Sequence, residues 1–413
     1  MRLTQKRHGL KPRNPFLLFF VFAIFWGAGF AFASPTQDLA SPSREIREER
    51  LIPIAEIVEE AIRAGKTPGA VVLVGHRGRI VYRQAFGHRA LEPNKLPMTI
   101  DTIFDLSSLT KVIATAPAVM QLVEKGKIRL QDPVGNYWSE FKAHGKDLIT
   151  VHQLLTHYSG LRAGLDLQPK WTGYSSAMEK IAAEKLASIP GTQFLYSDLN
   201  FMILGELVSR VSGQPFDAYC AQHLYTPLGM KDTGFRPAES QHPRLAHTQY
   251  KKRNSGKKLW GEVHDTTAFL MGGVAGHAGL FSTGDDLAIF AQAFLDGGTA
   301  NGARILSPLS VRKMTNPQTP PNKTVLRGLG WDIDSPFFSS RGELLPVGSF
   351  GHAGYSGTSI WIDPASQTYI ILLTNRVHPG DKGDVVSLRS QIASCVAAAL
   401  SSGDAAQILS SGR

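Results

Sequence analysis

The chain has 413 residues, 43% of them hydrophobic and 19% charged. That balance excludes an intrinsically disordered protein and fits one large mixed domain or two smaller ones. A formal net charge of +10 would suggest a nucleic-acid partner, but Arg2, Lys6, Arg7, Lys11 and Arg13 crowd the first 33 residues, which hold no acid. Without those five the body carries only +5, and a nucleic-acid partner is not expected.

The basic start precedes the apolar run Phe16–Ala33, which ends in the small-x-small sequence Ala31-Phe32-Ala33. Residues 1–33 read as a signal peptide, with an uncleaved anchor as the alternative. Either way the body is exported, periplasmic or secreted, and membrane attachment would run only through this segment. Cys220 and Cys395 are the only cysteines. Export would permit a disulfide, but two free, buried thiols are the simpler expectation. Without CxxC or HExxH spacing, neither a metal nor another cofactor is expected.

Residues 34–50 read as a flexible leader, 51–400 as the folded domain and 401–413 as a loose tail. Helical periodicity runs over Leu51–Ala64, and Ala70–Gly75 and Arg79–Phe86 form a hairpin about His76-Arg77-Gly78. Thr102–Leu106 is a short strand-like run leading into the apolar helical stretch up to Gly126, where Pro117 predicts a kink. Residues 127–310 read mostly as helices and loops, with clear helices at Val151–Thr156, Asn200–Val211 and Leu287–Leu295. The basic run Lys251–Lys258 reads as a solvated loop. Strands return at Leu329–Ile333, Gly357–Ile362 and Tyr369–Thr374, and Val385–Leu400 closes the chain as a helix. Strands at both ends with helices between predict a mixed α/β fold of the α+β type. One antiparallel sheet is built from both chain ends, with an inserted helical region, and the cleft where the two meet is the default site.

Ser108 and Lys111 stand one helical turn apart at the start of the Pro117 helix. An amine beside a hydroxyl can take its proton, and a helix start favours developing negative charge. The S-x-x-K spacing also occurs at Ser139/Lys142, Ser255/Lys258 and Ser310/Lys313, but only Ser108 follows a strand-like run and opens a buried helix. Tyr196-Ser197-Asp198 supplies a phenol that a neighbouring lysine would favour as phenolate, a candidate proton relay. Gly351-His352-Ala353-Gly354-Tyr355 begins a strand whose glycines admit close backbone approach. There the N–H of Tyr355 would join that of Ser108 as an oxyanion hole. His277-Ala278-Gly279 repeats the His352 tripeptide but leads into a helix, so His277 is expected to be structural or to support the site from behind. His157 is expected to satisfy loop backbone.

The ordered motifs SLTK, YSD and HAG resemble those of the penicillin-recognising serine hydrolases: class C β-lactamases, D-alanyl-D-alanine carboxypeptidases and related esterases. ITVHQLLTHYSGL, PGTQFLYSDLNFMILGELV, PLGMKDTGF, GGVAGHAGLFST, FGHAGYSGTSIWIDP and LLTNRVHP extend the resemblance over roughly residues 51–400. It implies a β-lactamase/transpeptidase-like fold, acylation of Ser108, a base role shared by Lys111 and Tyr196, and release of the acyl group by water. Asp198, His352, Gly354 and Tyr355 would bind substrate, a small-molecule or peptide acyl donor such as a peptidoglycan-derived peptide or small ester. The alternatives are a β-lactamase and a non-catalytic penicillin-binding or sensor domain. Two residues depart from the family pattern. Asp198 replaces the usual Asn and cannot donate to a substrate carbonyl when ionised, though it could pair with Lys111. His352 replaces a lysine that meets the substrate carboxylate, and a histidine is mostly neutral near pH 7. Both departures favour carboxypeptidase or esterase chemistry over efficient β-lactam hydrolysis.

Overall fold

The computed structural model describes residues 46–249 and 261–400. The N-terminal segment 1–33, most of the leader, the basic run with Ser255/Lys258, and the tail lie outside the described residues. The end of the leader is docked: Ile46 is buried and the Arg47 N–H donates to the Ala399 carbonyl.

The frame is an eight-stranded antiparallel sheet: β1 (Gly69–His76), β2 (Arg79–Ala90), β3 (Leu96–Pro97), β4 (Leu326–Arg327), β5 (Asp332–Asp334), β6 (Phe350–Ala353), β7 (Ser359–Asp363) and β8 (Thr368–Thr374). Their spatial order is β3-β2-β1-β8-β7-β6-β5-β4. The first strand therefore pairs with the last, with Val72 opposite Leu372, and the sheet joins both chain ends. The hairpin between β1 and β2 turns on Arg77 and Gly78, both at positive φ.

All eight residues of β1 are buried, which is why its sequence is a continuous apolar run rather than an alternating one. Val72 and Val74 face helices Pro53–Arg63 and Val386–Ala399 through Ile54, Val58, Leu388 and Ile392. Val71 and Leu73 face helix Gly284–Leu295 through Leu287 and Phe290. Each such side chain contributes about 1.5–3 kcal/mol by leaving water, so the two helical layers hold the sheet from both sides. The helical region, including helix Asp198–Ser212, belongs to the same core as Val71.

Two expected elements are built differently. The stretch Leu329–Ile333 is not one strand but a tight hairpin, with Arg327 opposite Asp332. Gly330 turns at φ +86°, donates to the Leu155 carbonyl and lies so close to Ala116 that an added Cβ would sit 3.0 Å from it. The kink expected at Pro117 is a change of helix type. A 3-10 turn (Ser107–Leu109) and a π-helical turn (Lys111–Thr115) precede α-helix Ala116–Glu124. Pro117 thus falls in the first α-helical turn, where its missing N–H costs little. The same device recurs at the π-turn Ala221–Tyr225 before Pro227. Helix Tyr174–Ala183 was not anticipated, nor that Phe104–Asp105, within the expected strand-like run Thr102–Leu106, would form a small sheet with Gly234–Phe235 and Leu280–Ser282. Cys220 and Cys395 are free thiols, the first buried and the second half-buried.

Candidate active site

The small sheet places the nucleophile segment. Phe104 pairs with Ser282, and the Leu106 N–H donates to the Leu280 carbonyl. The chain then turns sharply through Ser107, at φ +48°, a costly conformation for a residue with a Cβ. Asp105 compensates: its Oδ1 accepts from the Ser107 N–H at 2.9 Å and its Oδ2 from the His264 N–H at 2.7 Å. The turn presents Ser108 in the first turn of a 3-10 helix, where N–H groups lack an intrahelical acceptor.

Lys111 is fully buried. Its Nζ donates to Ser108 Oγ at 3.1 Å and to the His277 carbonyl at 3.1 Å, and it lies 2.7 Å from Asp198 Oδ1. The Tyr196 ring lies beside the same amine, its centroid 5.1 Å from Nζ. Burial works against the charged form, but Asp198 and Tyr196 outweigh it and the net shift of the lysine is upward. At rest the group is an ammonium, a hydrogen-bond donor with no lone pair for the serine proton.

Loop His157–Ala163 positions the YSD segment. The Leu195 N–H donates to the His157 carbonyl, the Ser197 N–H to His157 Nδ1 at 3.0 Å, and the Asp198 N–H to the Ala163 carbonyl at 2.7 Å. His157 stacks on Tyr196 with centroids 4.5 Å apart. Burial, Arg327 and Lys111 push it well below the usual histidine range, so neutral Nδ1 accepts from Ser197 as expected of a backbone-satisfying histidine. Asp198 opens helix Asp198–Ser212, where the helix dipole favours its charge.

The third wall is the turn after β6. Ser356 donates through its N–H to Ser107 Oγ and through its Oγ to the Asp105 carbonyl, and Thr358 Oγ1 donates to the Leu106 carbonyl. Only glycine fits at 354, because a Cβ would lie 2.5 Å from the Leu106 oxygen and 2.2 Å from Thr358 Oγ1. Arg389, on the last helix, donates to the Gly354 and Thr358 carbonyls from beneath. Among the described residues no hydrogen bond from the Tyr355 N–H is found. The Tyr355 ring stacks on Arg376 at 4.4 Å, and its hydroxyl donates to Asp381 at 2.9 Å.

These walls enclose a cleft of about 370 Å³ lined by Ser108, Tyr196, Asp198, Asp265, His277 and Tyr355, among others. Ser108, Lys111, Tyr196, Asp198 and Tyr355 therefore come together, with Gly354 in the supporting turn. His352, expected to meet substrate, is not among the residues that line this cleft. It is buried, its Nδ1 lies 2.9 Å from the Ala353 carbonyl, and its ring sits 6.0 Å from that of Tyr196. Burial first, then Arg327 and Lys111, push it well below the usual histidine range, so it carries no charge to offer a carboxylate.

His277, expected to be structural or to support the site from behind, borders the cleft. Its carbonyl holds Lys111, and its Nε2 lies 2.9 Å from Asp265 Oδ1 on the cleft wall. The reason is a close approach of Gly276 to helix Asp198–Ser212, where a Cβ would meet the Phe201 oxygen at 2.0 Å. Glycine at 276 was the available signal. Asp265 was missed. Burial opposes its charge, but His277 and the Ala268 N–H hold it well below the usual carboxylate range. Asp198, Asp265 and His277 bring potential metal-ligand atoms within 4.8 Å of one another. The Lys111 ammonium already sits 2.7 Å from Asp198, where a metal ion would meet its repulsion.

A serine hydroxyl held by a buried ammonium, beside a tyrosine and between a helical region and an antiparallel sheet, defines a serine hydrolase of the penicillin-recognising type. The chain belongs to the β-lactamase family, whose model (Beta-lactamase) matches residues 54–392. Two curated relatives named "Putative D-alanyl-D-alanine carboxypeptidase" are each 32% identical. The one from Escherichia coli O157:H7 aligns over 80% of this chain and 83% of its own, the one from Salmonella agona (strain SL483) over 85% and 88%. Among solved structures, a penicillin-binding protein homologue from Caulobacter crescentus shares the fold at TM-score 0.69 and 22% identity, over 86% of this chain and 99% of that one. EstCE1, described as a hydrolase with promiscuous acyltransferase activity, does so at TM-score 0.68 and 23% identity, over 85% and 99%.

Proposed function

We propose that the chain is an exported serine hydrolase of carboxypeptidase or esterase type, acting on peptidoglycan-derived peptides or small esters through an acyl-enzyme on Ser108. The observation that carries this reading is the fully buried Lys111 ammonium, 3.1 Å from Ser108 Oγ and 2.7 Å from Asp198. Because that amine is charged, Tyr196 is the base. In its phenolate form, stabilised by the Lys111 ammonium, its oxygen takes the Ser108 proton and becomes a neutral phenol while Oγ attacks the acyl carbon. The oxyanion meets the N–H groups of Ser108 and Tyr355. Tyr196 then returns the proton to the leaving alcohol or amine. Water repeats the sequence to release the acid and regenerate Ser108.

The basic, then apolar, N-terminus supports export; no helix among the described residues is long and apolar enough to cross a membrane. The carboxypeptidase names of the relatives support a peptide substrate. The uncharged, buried His352 supports esters and argues against efficient β-lactam turnover. The test is to incubate the protein with D-alanyl-D-alanine peptides, p-nitrophenyl esters and a chromogenic cephalosporin, with Ser108→Ala as control. Turnover of peptides or esters well above that of the cephalosporin, abolished in Ser108→Ala, is expected. Equal rates in the two proteins, or a cephalosporin preferred over both, would overturn the reading.

A further inference from the structure

Arg327 has no part in the reaction so far, yet its surroundings are those of a working group. It lies on β4 with its side chain fully buried. Nη2 donates to the Gly330 carbonyl at 2.9 Å, while Nη1 stands 3.5 Å from Asp332 Oδ1. Neither Nε nor Nη1 has a hydrogen-bond acceptor among the described residues. A buried guanidinium with unspent donors is expensive to keep, and packing alone would be better served by an apolar side chain.

The guanidinium sits over the Tyr196 ring, 5.9 Å from its centroid, and Lys111 Nζ lies 5.1 Å from the same centroid. The position is rigid, because the Arg327–Asp332 hairpin is wedged between Ala116 and Leu155 through Gly330. The other titratable groups around the phenol are His157, His352 and, through Lys111, Asp198. Both histidines are held neutral by burial, with Arg327 the next cause.

Resting on the Tyr196 relay, we propose that Arg327 is a positioning residue of the hydrolytic reaction: a fixed cation behind the Tyr196 ring that stabilises the phenolate form in which this tyrosine takes the Ser108 proton. It never touches substrate. Its removal should change proton transfer rather than binding.

The test is p-nitrophenyl ester turnover between pH 5 and pH 10 for the wild type, Arg327→Gln, Arg327→Lys and Asp332→Asn, with thermal melts of each. Arg327→Gln should lower kcat at least about 10-fold at pH 7 with KM within about twofold, and move the rising limb of the profile up by about one pH unit. Arg327→Lys should restore most of that shift. Asp332→Asn, which strips the cation of its partner, should move the limb the other way. Profiles that superimpose on the wild type after scaling, or that shift in the same direction for Arg327→Gln and Asp332→Asn, would overturn the proposal. If Arg327→Gln does not fold, Asp332→Asn decides: a downward shift supports the role and no shift overturns it. Failure of the relay itself shows separately, as a wild type that neither turns over ester nor takes a fluorophosphonate on Ser108, and that outcome overturns both.

Discussion

Replacing Asp198 by Asn keeps the shape of the side chain and removes the charge 2.7 Å from Lys111 Nζ. At that distance the attraction is about 6 kcal/mol in an effective dielectric of about 20. The Asp198 side chain is 34% exposed, so water screens the pair. The expected loss of stability is about 2 kcal/mol, below the cost of breaking a wholly buried pair. For a domain of this size that is a fall in Tm of about 3 °C. The pH dependence follows from the direction of the Lys111 shift, for which burial is outweighed by Asp198 and Tyr196. A base raised on folding contributes stability that is fully present below its unfolded value, about 10.4 for lysine, and lost as pH rises through the folded one. The deficit of Asp198→Asn should therefore be flat from about pH 7 to pH 9 and shrink in stronger alkali. The chemistry should change as well: Asn can donate to an amide carbonyl where ionised Asp cannot, so ester turnover falls and the ratio of cephalosporin to ester turnover rises. Thermal melts in pH steps and parallel rate assays read both effects. A variant as stable as the wild type at pH 7, or a deficit that grows in strong alkali, would refute the reasoning.

Tyr196→Phe should melt close to the wild type while kcat on esters falls by about 10²–10⁴; an unchanged pH–rate profile would remove the base role. Gly354→Ala should displace the Tyr355 turn, because its Cβ would lie 2.5 Å from the Leu106 oxygen, and lower kcat by about 10² with a smaller effect on KM; kinetics at wild-type level would show that the turn has room. His352→Gln should blunt acid sensitivity. Its folded value lies well below the usual one through burial, Arg327 and Lys111, so the unfolded chain binds the extra proton as pH falls below about 6.5. The wild type thereby loses up to about 1.4 kcal/mol per pH unit for this group, and as much again for His157. Denaturant melts at pH 7 and pH 5 should show a smaller acid loss in the variant; an identical loss would mean that His352 titrates as in water.

The layered frame was legible because its signals are local. The unbroken apolar run of β1 and the His76–Gly78 turn marked a central hairpin, and the periodic helix after Tyr196 ends at Gly213 in the left-handed conformation. The S-x-x-K choice was also legible, since only Lys111 combines that spacing with full burial among the described matches. What could not be read was contact across the chain. His277 lies 166 positions from Lys111, and the carbonyl that holds the amine belongs to the backbone, so no residue type announces it. Arg327 stands two residues before the stretch Leu329–Ile333, which looked like one strand, and the positive φ of Gly330 turns the chain there. His352 matched its motif in order but not in exposure. Burial depends on helices and loops packed around the strand, which the tripeptide does not encode.

The proposed reaction makes Ser108 Oγ the atom that becomes acylated. The most direct measurement is to treat the protein with a fluorescent fluorophosphonate and a chromogenic ester, quench on the millisecond scale, and map the adduct by peptide mass spectrometry. A single adduct on the peptide carrying Ser108, formed at the rate of the ester burst and absent from Ser108→Ala, is the predicted result. An adduct on another residue, or equal labelling of Ser108→Ala, would contradict it.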